Sequence, residues 1–165
     1  MKDRFLCVLA QYDNGTERKL NKIQKSLVRA GFVGRQTANL PNHITLGTFE
    51  LDKEHELVKR IKQVAGNTHK IQTSFNNIGL FGMEVLFIAP SVTHELLDLQ
   101  KEFNNQFAYG KSWAAHTTML IDNPDVIQKA LPVVSDNFTP FSGYIESISL
   151  YEFWPTRFIL EEKLI

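Results

Sequence analysis

Two stretches of the chain repeat the same order of predicted secondary-structure elements. Hydrophobic periodicity predicts strand, helix, strand, strand from His43 onwards, and the same order begins again at His116. A unit of this size is too small to bury a sheet face alone, so we expect the two units to pair about a pseudo-twofold axis. The sequence therefore predicts an α+β fold, with two pseudo-symmetric lobes of antiparallel sheet and outer helices around a central cleft. We expect residues 1–165 to form this single bilobal domain, with the repeat covering about 43–89 and 116–162.

The remaining apolar patterns complete this arrangement. A continuous apolar run predicts a buried strand over 5–12, and the spacing of one helical face predicts a helix over about 16–30. Further helices are predicted from Asp52 to Gly66 and from Asn123 to near Pro132. Another is predicted to begin at Ser91, with Phe103 and Phe107 facing inward. The predicted strands of the two units are 43–49, 71–78, 83–89, 116–121, 143–153 and 156–162, with a break at 109–111.

Charge and cysteine content narrow the class of protein. The chain has 18 basic and 18 acidic residues, which disfavours a broad electrostatic surface for duplex nucleic acid. Cys7 is the single cysteine, so no intramolecular disulfide or multi-cysteine zinc site is expected. No leader with a cleavage site is visible, and no stretch approaches the ~18 apolar residues of a membrane span. We expect a cytoplasmic monomer that does not bind membranes.

The histidine that opens each repeat is followed two residues later by a threonine. Because strand side chains alternate between faces, His43 and Thr45 should project together, as should His116 and Thr118, with Thr117 on the opposite face. In-line displacement at phosphorus requires a base for the nucleophile, an acid for the leaving oxygen and uncharged donors for the non-bridging oxygens. A single His-x-Thr also fits a structural histidine on a strand, but its occurrence at equivalent points of a repeat favours catalysis.

No metal or cofactor site is predicted. The pairs at 55–56 and 94–95 begin like a zinc-protease motif, but Lys59 and Asp98 stand where its second histidine would be. The segment 78–82 matches the glycine loop of KH domains, yet its flanks are predicted as strands rather than helices. No phosphate-binding glycine loop of the P-loop or Rossmann type is present in the sequence.

The two motifs resemble the signature of the two-histidine (2H) phosphoesterase superfamily, which includes RNA 2′,3′-cyclic phosphodiesterases and the so-called 2′-5′ RNA ligases. The matching segments are His43-Ile44-Thr45-Leu46 and His116-Thr117-Thr118-Met119, with Ile78-Gly79-Leu80-Phe81 similar to a recurrent family segment. The resemblance extends over nearly the whole chain. It implies the same two-lobed fold, with His43 and His116 as the catalytic pair and Thr45 and Thr118 binding phosphate.

Two aromatic residues at equivalent positions of the repeat are further candidates. Phe81 and Tyr151 are expected near the cleft, where each could stack on a nucleobase or simply pack in the core. The sequence thus predicts a metal-independent hydrolase of 2′,3′-cyclic or 2′,5′-linked phosphodiesters on RNA ends or small nucleotides, using no cofactor. Two alternatives stay open: a non-catalytic protein that binds RNA ends or nucleotides, and 2′-5′ RNA ligase activity in the reverse direction.

Overall fold

The computed structural model describes residues 3–103 and 113–165, and this part of the chain forms an α+β fold. The strands are β1 (Phe5–Tyr12), β2 (His43–Phe49), β3 (Ile71–Phe81), β4 (Val85–Pro90), β5 (Thr117–Ile121), β6 (Phe141–Phe153) and β7 (Arg157–Lys163). The α-helices are α1 (Asn14–Arg29), α2 (Glu54–Gly66), α3 (His94–Glu102) and α4 (Pro124–Asn137), and a 3₁₀ turn (Leu51–Lys53) precedes α2. The predicted fold class is confirmed.

One antiparallel sheet contains all seven described strands, in the order β2-β1-β6-β3-β4-β5, with β7 also paired to β6. Strand β6 is 13 residues long and connects the two halves. Along one edge it pairs with β1, and along the other it pairs first with β3, over Phe141–Ile145, and then with β7, over Ser147–Glu152. The two lobes are therefore halves of one continuous sheet, β2-β1-β6-β7 and β6-β3-β4-β5.

Strands β2 and β5 lie at the two ends of this order, yet they are in contact. The Thr117 hydroxyl donates a hydrogen bond to the carbonyl of His43 (3.1 Å), and the Trp113 indole donates one to the carbonyl of Thr45 (2.9 Å). The sheet must therefore curl until its ends meet. This curl brings the two His-x-Thr motifs together, although they are far apart in the sequence.

The main hydrophobic core lies between the outer face of the sheet and the helices. Each long helix contributes one apolar face at three- and four-residue spacing; for α1 this face is Leu20, Ile23 and Leu27. A second, smaller cluster of Cys7, Leu9 and Phe153 lies apart from the main core. No helix among the described residues is long and apolar enough to cross a membrane.

The structure corrects two helix boundaries. Helix α3 begins at His94 and is capped by Thr93, whose hydroxyl accepts from the Leu96 amide (3.2 Å); Ser91, the predicted start, instead accepts from the Asn76 side chain. Helix α4 does not end near Pro132 but continues to Asn137, because buried Val134 extends the packed face beyond the proline.

Further predicted boundaries also differ from the structure. The predicted helix starts at Asp52, but this residue lies in the 3₁₀ turn and α2 begins at Glu54. Phe103 is buried as predicted, whereas Phe107 and the break at 109–111 lie outside the described residues.

Candidate active site

The ring of each histidine makes a hydrogen bond to the backbone carbonyl two residues earlier in the chain. Nδ1 of His43 lies 2.8 Å from the carbonyl oxygen of Pro41, and Nδ1 of His116 lies 2.8 Å from that of Ala114. Since a carbonyl oxygen can only accept, Nδ1 carries the proton in each ring. In the neutral imidazoles Nε2 therefore carries the lone pair, as proton transfer to or from a substrate requires.

The surroundings of the two rings favour their neutral forms. Burial lowers the pKa of His43 below its ordinary value of 6.5, and the charge of His116 lowers it further, against the opposing effect of the Pro41 bond. Burial likewise lowers the pKa of His116, which is only 9% exposed. The imidazoles are thus close enough to interact electrostatically, and protonation of one disfavours protonation of the other.

A cavity of about 700 Å³ lies beside the first histidine. His43, Thr45 and Thr118 all line it, so the structure brings three of the predicted site residues together. Within the described residues, the hydroxyls of Thr45 and Thr118 make no hydrogen bond to the protein, which leaves both available to a ligand. The rest of the lining is mixed: polar side chains such as Gln24, Gln36 and Asn42 alternate with apolar and aromatic ones, among them Leu9, Leu40, Phe5, Phe153 and Trp154.

His116 is not among the residues that line this cavity, and its ring packs against two phenylalanines. Its centroid lies 4.6 Å from that of Phe81, in an edge-on arrangement, and 5.5 Å from that of Phe87. The two phenylalanine rings are themselves 4.5 Å apart. Phe87 lies over Gly79, where a Cβ atom would approach its ring to 2.3 Å. Phe81 therefore contacts the imidazole of His116 but does not line the cavity.

Tyr151 belongs to a different aromatic group, on the β1–β6 half of the sheet. Its ring stacks 6.1 Å from Phe153 and meets the ring of Phe158 edge-on at 5.4 Å. Tyr151 pairs with Cys7 across β1 and β6, and Thr45 pairs with Leu9 across β1 and β2. Because Cys7 and Leu9 are two residues apart on β1, they project to the same face. Tyr151 therefore lies on the same face of the sheet as Thr45. It does not line the cavity itself, and its neighbour Phe153 does.

Three residues not identified as site residues from the sequence connect the motifs. Trp113 and Thr117 bond to the first motif, and the Tyr12 hydroxyl lies 2.6 Å from the Thr117 hydroxyl. One feature of the sequence indicates this contact. Thr117 is polar at a position predicted to face the core, where the first motif has Ile44. Nothing in the sequence around Tyr12 indicates its contact.

Few charged side chains line the cavity, and they include both basic and acidic ones. Among the described residues, the cavity wall includes Arg4, whose guanidinium pairs with Glu152, together with the acidic side chains of Asp3 and Glu50. Cys7 also lines the cavity, and burial raises the pKa of its thiol to about 12. The described ranges contain no group of three His, Cys, Asp or Glu side chains that could hold a metal ion.

Comparison with known proteins shows the same fold in several solved structures. A crystal structure of a phosphoesterase is 16% identical, covers 98% of both chains and gives a TM-score of 0.65. E. coli LigT complexed with 3′-AMP is 15% identical over 99% of both chains, with a TM-score of 0.65. E. coli LigT complexed with NADP⁺ is 18% identical over 99% of both chains, with a TM-score of 0.61.

No curated protein matches the sequence. The sequence profile of the 2′-5′ RNA ligase superfamily, however, matches residues 15–153, which include both His-x-Thr motifs and most of the sheet. The chain therefore belongs to the 2′-5′ RNA ligase superfamily.

Proposed function

We propose that this protein is a phosphodiesterase that hydrolyses 2′,3′-cyclic or 2′,5′-linked phosphodiesters of RNA ends or small nucleotides. The observation that carries this proposal is the pair of interacting imidazoles, each with Nδ1 bonded to a carbonyl, beside two threonine hydroxyls with no protein partner. Membership of the superfamily supports enzymatic phosphoester chemistry.

The proposed reaction uses the two histidines as acid and base. Neutral Nε2 of one ring takes a proton from water, whose oxygen attacks phosphorus, while the protonated Nε2 of the other ring gives its proton to the departing ribose oxygen. The hydroxyls of Thr45 and Thr118 donate to the non-bridging oxygens as negative charge builds on them. In the reverse direction a ribose hydroxyl replaces water and the two histidines exchange roles, so the same groups support ligation. The step requires no metal ion.

The size and lining of the cavity support a nucleotide ligand. Its volume of about 700 Å³ falls within the ~300–1,000 Å³ typical of small-molecule sites. Phe81, against His116, and Tyr151, in the aromatic group beside the cavity, are the proposed contacts for a base. Stacking on an aromatic side chain contributes about 1–3 kcal/mol per base. E. coli LigT, which shares the fold, has been crystallised with 3′-AMP, ATP and NADP⁺.

Turnover of 2′,3′-cyclic nucleotides and 2′,5′-linked dinucleotides, with and without EDTA, tests the proposal. We expect hydrolysis that survives chelation. His43→Ala and His116→Ala should each lower kcat by about 10²–10⁴-fold, and the double variant should be scarcely worse than either. His69→Ala, which removes an exposed histidine outside the cavity, is the matched control and should retain activity.

Tight nucleotide binding without turnover would replace the phosphodiesterase proposal with a binding protein. Activity that is lost on chelation and restored by a divalent ion would show that the reaction depends on a metal. The proposal includes action as a cytoplasmic monomer, which fractionation and sedimentation would check.

A further inference from the structure

The two motifs are connected to each other by side chains rather than by backbone pairing. Strands β2 and β5 are the two ends of the sheet order, and no ladder joins them in the described residues. The Thr117 hydroxyl and the Trp113 indole bond instead to the backbone carbonyls of His43 and Thr45. Side-chain hydrogen bonds are therefore the described polar contacts between the two motifs.

Thr117 breaks the apolar pattern of its own strand. It is 1% exposed and pairs across the sheet with Ile88, which belongs to the main core. The equivalent residue of the first motif is Ile44, which is fully buried. Burying a hydroxyl among apolar side chains costs free energy unless it is hydrogen-bonded. The hydrogen bonds of Thr117 therefore stabilise the fold, and one of them is made to the backbone of His43.

The two hydroxyl protons can be assigned from the geometry. The carbonyl of His43 can only accept, so Thr117 gives its one proton to that carbonyl at 3.1 Å. The Tyr12 hydroxyl, 2.6 Å away, must then donate to Thr117. Tyr12 is 6% exposed, and it follows Gln11, the residue that pairs with His43 across β1 and β2. A continuous chain of donors thus runs from Tyr12 through Thr117 to the backbone of His43.

We propose that Thr117 and Tyr12 are positioning residues, which hold the backbone of His43 at a fixed distance from His116. This inference rests on the proposed acid–base function of the two histidines. Thr117 directly follows His116 in the chain, so its bond to the His43 carbonyl ties one motif to the other at the reacting groups. An error of about 1 Å in the placement of catalytic groups can cost about 10²-fold in rate. Loss of this tie should lower turnover more than it weakens substrate binding.

Steady-state kinetics with a cyclic nucleotide test the hydroxyl directly. Thr117→Val is nearly isosteric but removes the bond, and we expect kcat to fall by about 10- to 100-fold with little change in KM. Thr117→Ser keeps the hydroxyl and should stay within a few-fold of wild type. Thr73→Val is the matched control, because Thr73 is 2% exposed and its hydroxyl also donates to a carbonyl, that of Ser91, away from the histidines. This control should lower the melting temperature without lowering kcat.

An NMR titration of the imidazoles provides a second readout that needs no turnover. The pKa of His43 is lowered by burial and by the charge of His116. In Thr117→Val it should rise towards 6.5 as the two strands move apart, whereas Thr117→Ser and Thr73→Val should titrate like wild type. The titration tests the positioning role even if the wild-type protein hydrolyses no phosphodiester. Absence of hydrolysis would count against the proposed function alone.

Two results would overturn the inference. One is unchanged kcat and unchanged His43 titration in Thr117→Val despite a lower melting temperature, which would make Thr117 a structural residue only. The other is a defect in Thr117→Ser as large as in Thr117→Val, which would assign the effect to side-chain shape. If Thr117→Val does not fold, Tyr12→Phe replaces it, with an expected decrease in kcat of about 3- to 10-fold. No change in kcat or in the His43 titration of that variant would refute the chain of donors.

Discussion

Adding one methyl group at Gly79 should disturb His116 through an intervening ring. A Cβ atom at this position would lie 2.3 Å from Cε2 and 2.4 Å from Cζ of Phe87, whereas ordinary contacts begin at 3.4 Å. The Phe87 ring must therefore shift by about 1 Å, and it packs against the rings of Phe81 and His116, whose centroids are 4.5 Å and 5.5 Å away. Overpacking of this kind costs about 1–3 kcal/mol of unfolding free energy. Displacement of His116 should lower kcat of the proposed reaction by about 10-fold or more.

Urea denaturation and steady-state kinetics of Gly79→Ala measure these two effects. Gly66→Ala is the matched control, because nothing lies within 4 Å of a Cβ at this last residue of α2. Alanine there should leave kcat unchanged and stabilise the helix by up to about 1 kcal/mol. If Gly79→Ala unfolds at the wild-type urea concentration and keeps its full kcat, Phe87 does not hold His116 in place and the reasoning is refuted.

Three further predictions concern the site itself. Because the base must be deprotonated and the acid protonated, and burial lowers the pKa of both His43 and His116 below 6.5, the bell-shaped profile of kcat/KM should peak below pH 6.5; a maximum above neutrality would contradict this. Thr45→Val and Thr118→Val should each lower kcat by about 10- to 10³-fold without lowering the melting temperature, and wild-type rates in both would remove the threonines from the mechanism. Cys7 should resist alkylation by iodoacetamide at pH 8 in the folded protein, since burial raises its pKa to about 12; rapid labelling would contradict this.

The elements that position the histidines were predictable because their signals are local. Alternation of apolar residues predicts strand β2 with the bounds that the structure shows, His43–Phe49. The repeat predicts the second motif on the equivalent strand; β5 begins at Thr117, directly after His116, and the two motifs are in contact. Asn123 followed by Pro124 marks the start of α4 correctly, since proline suits the first turn of a helix.

The contacts between the motifs were not predictable from local patterns. Tyr12 and Thr117 are 105 positions apart, and no periodicity connects them. The predicted strand ends at residue 78, yet Gly79 lies within β3 and pairs with Phe87, because the hairpin ladder continues to Phe81. Its lack of a side chain makes room for the Phe87 ring. Such close packing depends on which strands become neighbours, and that order is set by the whole sheet.

The position of the site also follows from how the sheet closes its edges. The outer edges of β2 and β5 carry backbone groups with no strand partner in the sheet order, and such edges invite pairing with other chains. Carbonyls two residues apart point to the same edge of a strand, and those of His43 and Thr45 are both occupied by side chains from the β5 side, Thr117 and Trp113. The bonds that cover this edge are therefore the same bonds that bring the two motifs together. A substitution that weakens these bonds should both expose the strand edge and separate the two histidines. Activity should therefore fall in the same variants in which self-association increases.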